Sequence, residues 1–407
     1  MNDVDIDKVA NWLARAGLSG KSETELLNAF CAKCAKIGLP IDRAIVIIDT
    51  LHPIYEGRAF RWRNDGTEET TMIEYGSTQS GEAAADWQAS VFYELLTTGE
   101  EERRIVLGAA PEGREYKHVT ELRESGHRDY IAFVHRFSEE TAIGEMDCVY
   151  SNWATRSPAG FSEQHLGALR QLLPTLALAV KCASLARIAE TLVEVYLGRD
   201  AGRRVLSGRI GRGTTETITA VLWFSDLRGF TTITDSADPA EIIPLLNDYA
   251  DTVISAIHAN GGDVMKLVGD GVLAIFKADD PADACRSALA AEADMHASST
   301  ALSTRRAAEG RPTTSVYLGL HIGEVFYGNV GSDDRLDFTV VGPAVNEVSR
   351  IVSMCRSVDR GVVASSAFFA ATPEPQRDTL VSVGRYALRG VGRAQELFTL
   401  DPEIVRA

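Results

Sequence analysis

Apolar and polar positions along this chain fall into two patterned halves separated by a polar stretch at 198–218. In the first half, apolar residues at three- and four-residue intervals predict amphipathic helices over 3–16 and 22–37, the second closed by Gly38 and Pro40. Short apolar runs in DRAIVIID, EGRAFRWR, YIAFVHRF and GEMDCVYSNW predict strands, broken by Pro and Gly and by a polar loop rich in Glu, Gly and Arg. PAGFSEQHLGALRQLLPTLALAVKCASLARIAETLVEVYL then returns to a helical period. Ser162 is placed to cap that helix, and Pro174 is expected to bend or interrupt it.

The stretch GRDAGRRVLSGRIGRGTTETI carries Arg203, Arg204, Arg209 and Arg212. It reads as a solvated connector, with an anion-binding patch as the alternative. From 219 the apolar runs TAVLWF, VMKLV, VLAIF, SVYLGLHIGEVFYGNV and DFTVVG predict strands. Helical patterns alternate with them in PAEIIPLLNDYADTVISAIHANG, in an alanine-rich segment at about 281–308 and in PAVNEVSRIVSMCR. Strands alternating with helices, with hairpins between, predict an α+β domain with helices on one face of a mostly antiparallel sheet. A ferredoxin-like core is the nearest common arrangement.

Length and composition narrow the class. At 407 residues the chain is long enough for two or three domains, and 45% hydrophobic against 24% charged residues is a globular balance. A net charge of −16 argues against nucleic acid as the main partner. No positively charged leader opens the sequence and no uninterrupted apolar run reaches the roughly 18 residues of a membrane span, so a cytoplasmic protein without a membrane partner is expected. The six scattered cysteines fit reduced thiols. Cys31 and Cys34 form CAKC, but in a helical context with no second pair nearby they read as buried or half-buried helical thiols, with a redox or metal pair as the alternative; Cys285 and Cys355 read as packing thiols. Trp62, His118, His127, His135 and Trp153 lack convergent spacing and read as surface or hydrogen-bonded core residues, with the lining of a small-molecule pocket as the alternative.

Two carboxylates stand out. Asp226 ends the strand VLWFS, and Asp270 sits between Gly269 and Gly271 at the tip of GGDVMKLVGDG. Either one alone is an ordinary turn residue. Two presented together at neighbouring strand ends would repel unless a cation neutralised them, and oxygen ligands of this kind suit Mg²⁺ or Mn²⁺. After Asp226, a turn with Gly229, Phe230 and Thr231 can offer backbone N–H groups to phosphate oxygens. No GxxxxGK[ST] pattern occurs, and GRIGRG lacks the strand context of a dinucleotide fingerprint.

The ordered segments WFSDLRGFT, GGDVMKLVGDGVLAIF, GLHIGEVFYGNVG and RLDFTVVGPAVNEVSR resemble the class III nucleotidyl cyclase catalytic domain over roughly 219–400. That resemblance implies a homodimer with two active sites at its interface, ATP as substrate and two divalent ions per site on Asp226 and Asp270. It further implies that Lys266 and Thr339 of the opposite chain read the base, that Asn346 orients the ribose and that Arg350 stabilises charge on the α-phosphoryl group. Asp337 is a secondary base-reading residue, and Asp263 is left without a chemical role. Lys266 with Thr339 resembles a bacterial adenylyl variant, so an adenylate cyclase is expected; a guanylate cyclase and a noncatalytic cyclase-like sensory dimer are the alternatives. FSEQHLGALRQLLPTLALAV looks like the last helix of a GAF domain. The expected organisation is therefore a GAF-like regulatory domain over 1–180, a helical and polar linker over 181–218 and the catalytic domain over 219–402, leaving room for a small-molecule ligand of the N-terminal domain.

Overall fold

A computed structural model describes residues 2–64, 72–108, 115–137, 143–144, 146–389 and 393–401. The chain divides into two units, residues 1–192 and 193–407.

The N-terminal unit begins with α1 (Asp3–Leu18) and α2 (Glu23–Lys36). Ser22 and Glu25 close a reciprocal capping box on α2, which satisfies two of its otherwise orphaned backbone donors. There follow β1 (Arg43–Asp49), β2 (Gly57–Arg63), β3 (Met72–Tyr75), α3 (Gly81–Gln88), α4 (Val91–Thr98), β4 (Glu102–Val106), α5 (Lys117–Glu124), β5 (Asp129–Arg136), β6 (Cys148–Thr155) and α6 (Glu163–Leu197). The six strands form one antiparallel sheet in the order β3-β2-β1-β6-β5-β4. One face packs on α1, α2 and α6 through residues such as Leu13, Phe30, Trp153, Leu169 and Leu172. The other carries Phe92, Leu95, Leu122, Tyr130 and Tyr150, with helices α3 to α5.

Ser162 does cap α6: its Oγ accepts from the backbone N–H of His165. The helix runs unbroken through Pro174, so of the two expected outcomes, a bend or an interruption, the interruption does not occur. Leu172, Leu173, Leu176 and Ala177 are buried on either side of it, and that packing outweighs the one backbone bond proline removes. By length and by an 18-residue stretch of mean hydropathy 1.5, α6 is the one described helix that could cross a membrane. Much of its apolar surface is buried in the N-terminal core, as in a core helix. Cys31 and Cys34 lie fully buried on α2, and burial pushes the Cys34 thiol up to about 12.

The C-terminal unit comprises α7 (Arg199–Leu206), β7 (Thr215–Leu227), α8 (Phe230–Ser236), α9 (Pro239–Ala259), β8 (Asp263–Val268), β9 (Gly271–Phe276), α10 (Pro281–Ala308), β10 (Val316–Gly331), β11 (Leu336–Val341), α11 (Pro343–Val358), β12 (Val362–Ser365), α12 (Ser366–Ala371), β13 (Leu380–Tyr386) and β14 (Gln395–Leu400). The segment from β7 to β10 runs β-α-β-β-α-β with strand order β10-β7-β9-β8, the ferredoxin-like arrangement. Strands β12, β14 and β13 extend the sheet, β11 pairs with β10, and β10 with β12 is the parallel pair.

Helices cover both faces of this sheet, not one. Val221, Trp223 and Ala274 face α9, α10 and α12. Ala220, Leu222 and Ile275 face the other way, toward α7 and α11. The uninterrupted apolar runs explain the difference: every residue of β9 is buried, and a strand covered on both sides loses the alternation of a one-sided sheet.

The connector is also more structured than its composition predicts. Within it, α7 buries Ala201 and Gly202. The Asp200 carboxylate accepts from Lys277 Nζ at 2.6 Å, Tyr327 Oη at 2.5 Å and Arg204 Nε at 3.0 Å. Arg204 also pairs with Glu216 at 2.7 Å and Arg212 with Asp333 at 3.2 Å, so these two arginines are occupied within the domain. Asp263, given no role from the sequence, pairs with Lys277 at 3.4 Å and steadies the same cluster.

Candidate active site

The tip of the β8–β9 hairpin explains its glycines. Gly269 adopts a left-handed φ of 63°, which glycine accepts without the penalty a Cβ incurs. Gly271 is needed for a different reason: a Cβ there would lie 2.5 Å from the Ser225 carbonyl oxygen on β7. Close approach of the hairpin to β7 brings Asp270 to the end of that strand, where its Oδ2 accepts from the Leu227 N–H at 3.2 Å. Asp226, one residue earlier, shares with Asp270 a small cavity of about 160 Å³ that Asn247, Tyr249 and Val253 also line.

Burial and then the neighbouring Asp270 carboxylate push the Asp226 carboxyl up to about 6. Two acids held this close, with no cation among the groups that shift Asp226, make a site short of positive charge. A divalent cation with oxygen preference fits that deficit. No described cluster of three or more His, Cys, Asp or Glu residues offers an alternative metal site.

Beyond Asp226, Gly229 takes a left-handed φ of 70° and opens α8, with Phe230 and Thr231 in its first turn. No side chain caps that end. These three residues follow the carboxylate strand directly, yet they do not line the carboxylate cavity.

Lys266, Thr339, Asn346 and Arg350 are not among that cavity's lining residues either. Lys266 sits on β8 where the register with β9 slips between Val264 and Lys266, a bulge of the kind that re-aims a side chain. Its Nζ pairs with Asp337 at 3.2 Å. Thr339, two residues along β11 from Asp337, is buried, and its Oγ1 has no hydrogen-bond partner. Asp337 therefore joins the lysine and the threonine in one patch, a closer relation than its secondary rank suggests.

Asn346 and Arg350 lie on α11, four residues apart and so on one side of it. Asn346 is exposed and Arg350 half-buried. Cys355 lies on the same helix as a buried thiol. The residues thus form three groups within one chain: the carboxylate pair, the β8–β11 patch and the α11 pair.

Of the N-terminal histidines and tryptophans, Trp153 is buried in the core beside α1, α2 and α6, with Trp62 packed against that core, and His127 bonds within its own turn. His118 instead lines a large cavity, along with Arg61 and Asn152. Neither of these last two carries a distinguishing mark in the sequence, because strand alternation alone decides which face they take.

Residues 213–400 match the adenylate and guanylate cyclase catalytic domain. Adenylate cyclase 1 of Rhizobium meliloti (strain 1021) is 30% identical over 191 residues, covering 46% of this chain and 28% of that protein. The adenylate cyclase of Anabaena cylindrica is 33% identical over 147 residues, covering 36% and 29%. The chain thus spans less than a third of the length of these curated relatives. The crystal structure of the adenylyl cyclase CyaB from P. aeruginosa aligns with 25% identity and a TM-score of 0.42, over 46% of this chain and 95% of that one. With the four ordered motifs on one ferredoxin-like core and a family match running from just before β7 through β14, the C-terminal unit carries a class III adenylyl/guanylyl cyclase catalytic domain.

Proposed function

We propose that this chain is an adenylate cyclase, converting ATP to 3',5'-cyclic AMP and pyrophosphate as a homodimer with two interfacial active sites. The observation that carries this reading is the convergence of Asp226 and Asp270, a half-buried pair of acids whose mutual repulsion calls for a cation. Two Mg²⁺ or Mn²⁺ ions, when bound, lower the pKa of the ribose 3'-hydroxyl and offset the triphosphate charge.

The chain's own groups do the rest. Gly229, Phe230 and Thr231 offer backbone N–H groups to phosphate oxygens. Asn346 holds the ribose, and Arg350 meets the charge that grows on the α-phosphoryl oxygens with a forked set of donors. The 3'-oxygen forms its new bond to the α-phosphorus, the bond to the bridging oxygen of pyrophosphate breaks in line, and the hydroxyl proton passes to solvent. Lys266 donates to adenine N1, steadied by Asp337, while the Thr339 hydroxyl accepts from the N6 amino group. An unpartnered buried hydroxyl costs about 1–3 kcal/mol, and a base edge would relieve that cost.

Two features favour sites shared between copies. The carboxylate cavity is lined by none of the base, ribose or α-phosphoryl groups. Apolar side chains also stand exposed beside them on β8 and β10, with Leu267 at 58%, Val268 at 43% and Phe326 at 51%. A second copy with two-fold symmetry would cover such a surface and bring Lys266, Thr339, Asn346 and Arg350 to the partner's aspartates. We read the N-terminal unit as a GAF-like regulatory domain, the 181–218 segment as its connection to catalysis, and the whole as a soluble cytoplasmic signalling enzyme.

Base selection tests this assignment. Lys266→Ala and Thr339→Ala should each lower the preference for ATP over GTP by about 10-fold, one lost hydrogen bond's worth. The Mn²⁺ concentration for half-maximal rate should stay unchanged. Variants that keep the wild-type nucleotide preference would contradict the roles given to these residues.

A further inference from the structure

Helix α11 lies directly against β10. Gly319 and Gly323 permit the approach: a Cβ on the first would meet the Val352 backbone nitrogen at 2.8 Å, and one on the second would meet the Ala344 Cβ at 2.9 Å. Strand alternation puts His321, between them, on the same face. The buried residues of the helix above it are Ala344, Val348, Ile351, Val352 and Cys355, an apolar stripe. A polar ring beneath such a stripe needs partners. The His321 Nδ1 lies 2.8 Å from Ser365 Oγ at the end of β12 and 3.6 Å from Glu347 Oε1 on α11.

The same Glu347 oxygen accepts from Gln395 Nε2 on β14 at 2.7 Å. Burial holds the His321 imidazole below its usual range against the pull of Glu347, so at neutral pH the Gln395 amide supplies the short hydrogen bond to this carboxylate. With its side chain only 17% exposed, Glu347 depends on that donor, because a buried charge without partners is strongly disfavoured. Its place on the helix gives the contact a consequence. At about 100° per residue, Glu347 stands roughly 40° from buried Ile351 on one side and roughly 60° from Arg350 on the other, with Asn346 beyond Arg350. An apolar stripe packs without directional preference, whereas a hydrogen bond at the edge of the stripe has a preferred geometry. Glu347 therefore opposes rotation of α11 about its axis, and any such rotation would carry Asn346 and Arg350 with it.

We infer that Glu347 is a positioning residue: tied to Gln395 and to the His321–Ser365 pair, it fixes the rotation of α11 and so sets Arg350 against the α-phosphoryl group and Asn346 against the ribose. The inference rests on the roles proposed above for Asn346 and Arg350. Its effect falls on the chemical step, since misplacing a catalytic group by about an ångström costs up to about 100-fold in rate.

Steady-state kinetics on the full-length chain with ATP and Mn²⁺ test it. Glu347→Ala should lower kcat by about 10- to 100-fold and move KM by less than about threefold. Glu347→Gln, which keeps an oxygen for the Gln395 donor, should stay within about threefold of the wild-type kcat. Gln395→Leu should reproduce the loss, and Glu347→Ala/Gln395→Leu should fall no further than Glu347→Ala alone, since both remove one contact. A second substrate separates placement from folding. The ratio of kcat on ATP to kcat on adenosine 5'-(1-thiotriphosphate), in which sulfur replaces an α-phosphoryl oxygen, does not depend on the fraction of chain that is folded. Sulfur accepts hydrogen bonds weakly, so this ratio should drop at least about threefold in Glu347→Ala, where Arg350 no longer meets that atom squarely. Wild-type kcat in Glu347→Ala, additive losses in the double variant or an unmoved ratio would each overturn the inference. A wild type that forms no cyclic nucleotide would instead overturn the catalytic reading beneath it, and that result is read before any variant is made.

Discussion

Asp226→Asn and Asp270→Asn should each lower the rate of cyclic nucleotide formation by about three orders of magnitude, because a transition-state interaction of this type is worth about 4 kcal/mol. Asparagine is the informative replacement. It keeps the volume of the side chain and, at 270, an oxygen that still accepts from the Leu227 N–H. An alanine there would also strand that backbone donor. Charge is then the principal thing removed.

The two variants should also separate metal binding from folding. In the wild type without metal, Asp226 is raised to about 6 by burial and by Asp270, so the pair carries a repulsion that either substitution relieves. Thermal midpoints of the metal-free variants should not fall below that of the wild type. Added Mn²⁺ should raise the wild-type midpoint, since a ligand that binds only the folded state stabilises it, and should leave the variants where they are. Activity retained in either variant, or a Mn²⁺ response equal to that of the wild type, would contradict the role given to the pair.

Much of the carboxylate site was legible in the sequence because it is built from local chemistry. A strand that runs out at Asp226 and a two-residue turn carrying Asp270 between glycines are short-range features, and the structure brings the two acids into one cavity. Other parts depended on distant packing. Strand β9 reads as simply apolar, and only the fold reveals that both of its sides are covered. The α7 helix was hidden by its own arginines and glycines; its stability comes from Asp200 meeting Lys277 and Tyr327, which lie 77 and 127 residues away in sequence. Asp337 ranked low for a similar reason, since its contact with Lys266 depends on β8 and β11 being brought together. In the N-terminal half, α3 to α5 were lost in a polar stretch with little periodicity, and with them the walls of the large cavity.

Mixing two inactive homodimers should restore activity. A chain with Asp226→Asn retains Lys266, Thr339, Asn346 and Arg350, while a chain with Arg350→Ala retains both aspartates. Under the proposed symmetry, a heterodimer of the two has one site with every group and one lacking two. Random exchange of equal amounts puts half the dimers in that form, so activity should recover to about a quarter of the wild-type value. Each variant alone should stay near background. If both the aspartates and Arg350 served within a single chain, no mixture would recover, and that result would refute the shared site while leaving the metal assignment standing.

The most direct test of the whole account is the identity of the product. Full-length chain supplied with equal ATP and GTP and with Mn²⁺ should form 3',5'-cyclic AMP and pyrophosphate in equal amounts, with cyclic GMP a minor product. Cyclic GMP as the main product would contradict the adenine assignment of Lys266 and Thr339, and no cyclic nucleotide from either substrate would contradict the catalytic reading itself.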